Sequence, residues 1–230
     1  MTVQAGGVRR GLRPPWHRVS ALPAPLMLLT LLTLLALAVA AVPAWAQQAA
    51  PAAATARAEE IVQGQCFICH GADGESSSPA FPRLAGQNAA YVARQLSDYK
   101  SGKRKSSTMQ PMVDALSADD FRALGQFFAT RPTQAHEVQD PQLAQAGRDV
   151  FVRGNPSSGV VACAACHGAD GHGSDALPRL AGQHARYTEN QLRLFNKRER
   201  TNDNAVMHAV ASKMTEQEMK AVAAYLSGLN

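Results

Sequence analysis

Polar and apolar positions recur with a helical period through most of the chain. In residues 88–102, Tyr91, Gln95 and Tyr99 follow one another at intervals of four, which is typical of one face of an α-helix. Gly102 stands where a glycine often caps the C-terminus of a helix. The pattern therefore predicts a helix that ends at this glycine.

Two further segments begin with a sequence that favours a helix N-terminus. SADD at 117–120 and TEQE at 215–218 precede apolar runs and resemble capping boxes. Strand-like alternation is hard to find, and glycine and proline cluster between the helical segments. We therefore predict an all-α fold with long loops.

The first 46 residues have the pattern of a secretory signal peptide. Four arginines precede an apolar run from Leu26 to Val42, and the segment AWA at 44–46 has the A-x-A form of a cleavage site. We expect cleavage after Ala46. A retained membrane anchor is the alternative, because the apolar run is only just long enough to cross a bilayer.

The net charge of +5 comes mostly from this leader. Four of the 23 basic residues and none of the 18 acidic residues precede position 47, which leaves a net charge of about +1. That balance does not favour a nucleic-acid partner, since such proteins usually carry a concentrated basic patch. The basic run KSGKRK at 100–105 can be interpreted as a solvated loop or as a docking patch for an acidic partner.

The chain contains an internal duplication. CFICHGADG at 66–74 returns as CAACHGADG at 163–171, and PRLAGQ at 82–87 returns at 178–183. The order of the repeated features is kept, with small shifts that insertions in loops explain. The sequence therefore contains two copies of one unit, too few and too complex to form a solenoid.

The joint between the copies is expected in the polar segment at 130–141, which contains two prolines. We predict a signal peptide over residues 1–46, one domain over residues 47–136 and a second over residues 137–230. Domains of this size bury little apolar surface of their own. A large apolar cofactor would complete each core.

Each copy contains a C-x-x-C-H motif. On a helix, residues i, i+3 and i+4 share one face, so both thiols can join the two vinyl groups of a haem while the histidine ligates the iron. This spacing is the attachment signal of c-type haem. The predicted residues are Cys66, Cys69 and His70 in the first copy and Cys163, Cys166 and His167 in the second.

Other uses of these cysteines fit less well. A thioredoxin-like pair should accompany a βαβ pattern, which is not visible. A zinc site would have to join cysteine pairs that are 97 residues apart in separate copies. A disulfide leaves the repeated histidine unexplained. We therefore predict two covalently bound haem c groups.

The second axial ligand is predicted to be a methionine. Aligning the copies pairs Met109 with Met207, and a ligand shared by both units should be methionine in both. Met112 is the rival in the first copy, since it lies three residues further along a similar helical face. Met112, Met214 and Met219 are otherwise expected to fill cores.

Two residues of each PRLAGQ repeat are candidates to support the haem. The carbonyl of Pro82 or Pro178 could accept a hydrogen bond from the ligating histidine, although either proline could equally serve a turn before a helix. Arg83 and Arg179 could pair with haem propionates or be exposed to solvent.

In combination, these motifs make the chain similar to the dihaem cytochromes c4. The resemblance covers essentially all of the chain after the leader. It implies two tandem cytochrome c-like domains related by a pseudo-twofold axis, each with His/Met-ligated haem. It also implies a periplasmic electron carrier, often associated with the membrane, that feeds respiratory oxidases.

We therefore expect an electron-transfer protein with no small-molecule substrate. Its partners would be an upstream redox donor and a terminal oxidase, and peripheral membrane association is possible. Two alternatives stay open. One is a dihaem peroxidase, which would need an open iron site. The other is the haem subunit of a dehydrogenase complex, such as a sulfide-oxidising flavocytochrome.

Overall fold

The chain is seen in a computed structural model that describes residue 2, residues 44–134 and residues 136–230. Contacts divide the chain into Met1–Gln47 and Gln48–Asn230. The predicted signal peptide falls almost wholly outside the described residues. Below, the first half means residues 48–134 and the second half means residues 136–230.

The first half is built from helices joined by loops. Helix α1 continues through a short π-helical segment into α2, which carries the first C-x-x-C-H motif, and three more helices follow. In order they are α1 (Ala44–Ile61), the π segment (Val62–Cys66), α2 (Phe67–His70), α3 (Ala89–Lys100), α4 (Met109–Val113) and α5 (Ala118–Ala129).

The second half repeats this order of helices, but a loop rather than a continuous helix precedes its C-x-x-C-H motif. Its helices are α6 (Pro141–Arg153), α7 (Ala164–His167), α8 (Ala185–Asn196), α9 (Val206–Ala211) and α10 (Glu216–Ser227). Helix α6 ends at Gly154, and a loop closed by a bridge between Asn155 and Val160 precedes α7. Apart from that bridge the described residues contain no β-structure, in agreement with the all-α prediction.

The local signals in the sequence act as predicted. Ser117 and Thr215 each cap a helix, and the carboxylate three residues later accepts a hydrogen bond from the backbone N–H of the capping residue. The backbone N–H of Ser117 lowers the pKa of Asp120, the acid of the first box. Gly102 adopts a φ of 74° just beyond α3, where its N–H reaches the carbonyl of Tyr99.

Each half has an apolar core in which long helices cross closely. In the first half, Gly125 of α5 lies against Ala89 at the start of α3; in the second, Gly147 of α6 lies against Ala221 of α10. A Cβ atom at either glycine would overlap a backbone carbonyl. The helices can therefore approach this closely only because both positions lack a side chain.

The halves contact each other through a reciprocal exchange of hydrogen bonds. The Gln183 amide accepts from Arg83 N at 2.9 Å and donates to Arg83 O at 2.9 Å. The Gln87 amide does the same with Arg179, at 2.8 Å in both directions. Equivalent residues thus exchange equivalent bonds, as expected for two copies related by a pseudo-twofold axis.

A buried polar network forms the centre of the same interface. Each of two arginines donates to a glutamine in both halves and to a tyrosine in the opposite half. Arg104 bonds to Gln95, Tyr187 and Gln191, and Arg200 bonds to Gln191, Tyr91 and Gln95, at 2.7–3.1 Å. Both guanidinium groups therefore have partners, as a buried charge requires.

Two sequence expectations fail at single residues. In the run KSGKRK the three lysines are exposed, but Arg104 is only 8% exposed, so neither a solvated loop nor a docking patch describes that residue. Its side chain turns inward because the opposite copy offers oxygen acceptors. Met112 is 40% exposed and does not fill a core, whereas Met214 and Met219 do. In residues 44–134 and 136–230, no helix has the length and apolar character needed to cross a membrane.

We expect Gly147→Ala to lower the free energy of unfolding by about 1–3 kcal/mol, because the added methyl forces α6 away from α10. Gly64→Ala is the matched control, since nothing lies within 4 Å of its added Cβ, and it should change stability by less than about 1 kcal/mol. Guanidinium denaturation of the haem-loaded protein measures both. Equal losses of unfolding free energy in Gly147→Ala and Gly64→Ala would contradict the close contact of α6 with α10.

We expect Gln87→Ala to cost about 2–3 kcal/mol, since it leaves the N–H and carbonyl of Arg179 without their partner inside the interface. Gln126→Ala, at an exposed position of α5, should have almost no effect. The same denaturation experiment compares them. A Gln87→Ala protein as stable as Gln126→Ala would mean that the exchange of bonds does not hold the halves together.

Candidate haem-binding sites

The first cysteine motif lies at the end of one continuous helical segment. Cys66 closes the π segment and precedes α2, which ends at His70. Gly71 then leaves the helix with a φ of 77°. Because the segment is helical throughout, Cys66, Cys69 and His70 lie on one side of it.

The second motif reaches the same arrangement from a loop. Cys163 is the N-cap of α7, which ends at His167, and Gly168 leaves the helix with a φ of 81°. No disulfide joins any of the four motif cysteines, which all lie in the described ranges. Before haem is attached, burial raises the pKa of the Cys66 and Cys163 thiols to about 11. The first cysteine of each motif therefore packs against the apolar core of its half.

Each motif histidine is buried and oriented by a proline carbonyl. His70 and His167 are both 7% exposed. Nδ1 lies 2.9 Å from the carbonyl oxygen of Pro82 in the first half and 3.3 Å from that of Pro178 in the second. The same PRLAGQ residue thus faces the histidine ring in both copies.

The environment keeps both imidazoles neutral. Burial lowers the pKa of His70 and His167 and outweighs the hydrogen bonds to the proline carbonyls, which raise it. A neutral ring that donates from Nδ1–H leaves the lone pair of Nε2 available. That is the state in which histidine binds a metal.

The methionines that the duplication pairs occupy equivalent places. Met109 begins α4 and packs against the core of the first half, and Met207 lies in α9 against the core of the second. Met112 lies on the exposed side of α4, where its backbone carbonyl accepts a bond from Gln65. The two halves are therefore alike at Met109 and Met207 and unlike at Met112.

Arg83 is not exposed to solvent. Its side chain is 14% exposed, Nε lies 3.3 Å from Glu75 Oε2, and Nη1 donates to Gly182 O at 2.6 Å. The solvent-exposed interpretation is therefore wrong for this residue. Arg179 is also half-buried, and among the described residues its Nε has no hydrogen-bond partner.

The donor set fits haem c. Each half offers two cysteines at the C-x-x-C spacing, a neutral imidazole, and a thioether on a separate short helix. Thiols, imidazole and thioether are the groups that attach haem c and ligate its iron. The buried Nε of Arg179 is a suitable donor for an anionic propionate.

Sequence inspection missed the interface residues. Arg104 and Arg200 are 96 residues apart, as are Tyr91 and Tyr187, and Gln95 and Gln191. A repeated arginine at that offset was a signal that these three pairs share one role. The spacing of Tyr91 and Gln95 predicted that they share one face of a helix, but it did not predict which residues that face contacts.

Comparison with known families matches both halves. Residues 53–128 match the family model described as "Cytochrome C oxidase, cbb3-type, subunit III", and residues 144–230 match the model described as "Cytochrome c". Between them these segments contain both C-x-x-C-H motifs and both paired methionines.

Relatives and solved structures match the chain as a whole. A cytochrome c4 from Thiocapsa roseopersicina is 39% identical, over 80% of this chain and 97% of that protein. A thiosulfate dehydrogenase electron acceptor from Stutzerimonas stutzeri is 36% identical, over 71% of this chain and 78% of that protein. The crystal structure of reduced cytochrome c4 from Pseudomonas stutzeri superposes with a TM-score of 0.72 at 36% identity, covering 75% of this chain and 97% of that one.

Two covalent haem c attachment motifs, a duplicated helical fold and similarity to relatives over nearly their full length lead to one conclusion. The chain belongs to the cytochrome c4 family of dihaem c-type electron carriers.

Proposed function

We propose that this chain carries electrons in the periplasm between a respiratory donor and a terminal oxidase, with both haem irons ligated by histidine and methionine. The ligand pairs are His70 with Met109 and His167 with Met207. Cys66, Cys69, Cys163 and Cys166 form the thioether attachments. Two half-buried methionines at equivalent positions carry this proposal, because each packs against the core of its half.

The protein groups suit electron transfer without proton transfer. Both proposed ligands of each iron are uncharged, and the Nδ1–H of each histidine is already donated to a carbonyl. Bound haem c supplies a one-electron ferric/ferrous couple. The side chains therefore need neither to gain nor to lose a proton when the electron arrives.

The fixed orientation of each histidine should also keep structural change small. The imidazole is buried at the end of a helix and bonded to a proline carbonyl, and proline restricts the backbone at that position. A metal ligand held by a second group in this way keeps its ring orientation. We infer that Pro82 and Pro178 serve this role.

Arg83 and Arg179 are proposed to bind haem propionates. Both lie between the halves, and the Nε of Arg179 is buried without a hydrogen-bond partner among the residues described. Glu75 already pairs with Arg83, so a propionate there would share the guanidinium with that carboxylate. The second half has no equivalent acid, since His172 occupies the position of Glu75.

A dehydrogenase is a second candidate for the electron donor. Relatives named as electron acceptors of thiosulfate dehydrogenase match this chain over most of its length. This chain would then receive electrons from a partner enzyme and perform no reaction on a substrate itself. A peroxidase is disfavoured, because His/Met ligation in both halves leaves no open iron position.

We expect Met207→Ala and Met109→Ala each to remove about half of the thioether-to-iron absorption band of the oxidised protein and to lower one reduction potential, since methionine ligation raises the potential. Met112→Leu and Met214→Leu are the matched controls and should leave the band intact. Optical spectra and potentiometric titration of the purified protein measure both effects.

Carbon monoxide binding tests whether the protein is only an electron carrier. Rapid carbon monoxide binding to one haem of the reduced wild-type protein would indicate an open iron site and favour an enzyme. Loss of about half of the band in Met112→Leu, with the band of Met109→Ala unchanged, would transfer the ligand role in the first half to Met112.

Export and the domain boundaries are proposed together. We expect the protein to fractionate with the periplasm and its N-terminal sequence to begin at Gln47, because the leader has the A-x-A cleavage pattern. Limited proteolysis should cut first in the segment at 130–141 and release fragments that each carry one haem. A membrane-bound protein that begins at Met1 would show that the leader is retained, which is a route to membrane association.

A further inference from the structure

The duplication provides an internal comparison of the two segments that lead to the paired methionines. In the first half, the backbone N–H of Met109 donates to the hydroxyl of Ser106 at 3.1 Å. In the second half, the backbone N–H of Met207 donates to the carboxylate of Asp203 at 2.6 Å. The N–H of the paired methionine therefore donates to a neutral hydroxyl oxygen in the first copy and to a charged carboxylate in the second.

Asp203 organises the backbone before Met207. Its carboxylate also accepts from Ala205 N at 3.3 Å and from His208 N at 3.1 Å. Asn204 and Ala205 have φ values of 54° and 65°, a left-handed conformation that is unfavourable for residues with a Cβ. Three hydrogen bonds to one carboxylate hold this strained turn and hence the start of α9.

The opposite side of the same segment is also anchored. The side chain of His208, next to Met207, bonds through Nδ1 to Phe195 O at 2.9 Å, which ties α9 to α8. In the first half, Gln110 occupies the equivalent position, and none of the residues of α4 or its N-cap has a positive φ. The Met207 segment is therefore built differently from the Met109 segment.

The Asp203 carboxylate is not neutralised by an ion pair. Its hydrogen-bond partners are backbone N–H groups, and none of the ion pairs within 4.0 Å in the described ranges 44–134 and 136–230 involves it. A fixed negative charge opposes the arrival of an electron nearby, and at partly buried positions the opposition is not fully screened.

We propose that Asp203 is a positioning residue that holds the Met207 segment and lowers the reduction potential of the second haem, a role without a counterpart in the first half. Asp203 acts in this way only if Met207 is the axial ligand proposed above. Met207→Ala tests that condition separately, because a Met207→Ala protein that keeps the full thioether-to-iron band would show that Met207 is not the ligand.

Asp203→Asn separates charge from position, since the amide oxygen can still accept from Met207 N–H. We expect the thioether-to-iron band to stay at full intensity. The equilibrium constant for reducing the second haem should rise about threefold to tenfold, and tenfold corresponds to 59 mV for one electron. The first haem should not change. Spectroelectrochemical titration at low ionic strength measures both waves, and the wave altered in Met207→Ala identifies the second haem.

Two further variants complete the test. Ser106→Asp places a carboxylate at the residue that bonds to the backbone N–H of Met109 and should lower the potential of the first haem. Asp175→Asn removes an exposed charge elsewhere in the second half and should move neither wave.

The proposal is overturned if Asp203→Asn moves neither wave, moves both equally, or moves only the first. Loss of about half of the band in Asp203→Asn would also overturn it, since the carboxylate would then act by position alone. Ser106→Asp with no effect on the first wave would contradict the electrostatic cause.

Discussion

The hydrogen bond between each motif histidine and the carbonyl of the following proline is the interaction on which the rest of the structure depends. It joins the C-x-x-C-H helix to the PRLAGQ segment and sets the orientation of the imidazole. The next residue of that segment is Arg83 or Arg179. Its backbone N–H donates to the side-chain amide of a glutamine in the opposite half, and its carbonyl accepts from the same amide. One six-residue segment therefore connects each proposed histidine ligand to the interface.

This arrangement explains why the repeated segment contains both a proline and a glutamine. The proline fixes the backbone at the point where its carbonyl must meet a buried ring. The glutamine has both a donor and an acceptor at one end, so it can pair with a backbone N–H and carbonyl at once. A displacement of one half relative to the other would strain both histidine contacts, which couples the integrity of the interface to the geometry of the two sites.

The central polar network adds specificity at an energetic cost. Two guanidinium groups buried between the halves lose hydration, and only close acceptors from both copies offset that loss. Arg104 and Arg200 each reach glutamines in both halves, so the two copies must meet in one register. The copies are not identical, however. Glu75 of the first copy aligns with His172 of the second. The N–H of the paired methionine bonds to the Ser106 hydroxyl in the first half and to the Asp203 carboxylate in the second. The two similar sites therefore lie in different electrostatic surroundings.

The sequence by itself determined the helical class, the capped helices at Ser117 and Thr215, the duplication and the haem attachment residues. Each of these depends on residues close together in the chain or on exact repetition, which a single sequence displays directly. The tertiary structure decided what the repeated polar residues contact. It turned Arg104 inward, left Met112 exposed beside a buried core, and brought Asp203 to the backbone of Met207. These outcomes depend on which surface of the other copy, or of the adjacent loop, offers a partner. Only the packed chain brings those surfaces together, because their residues lie far apart in sequence or beyond an irregular turn.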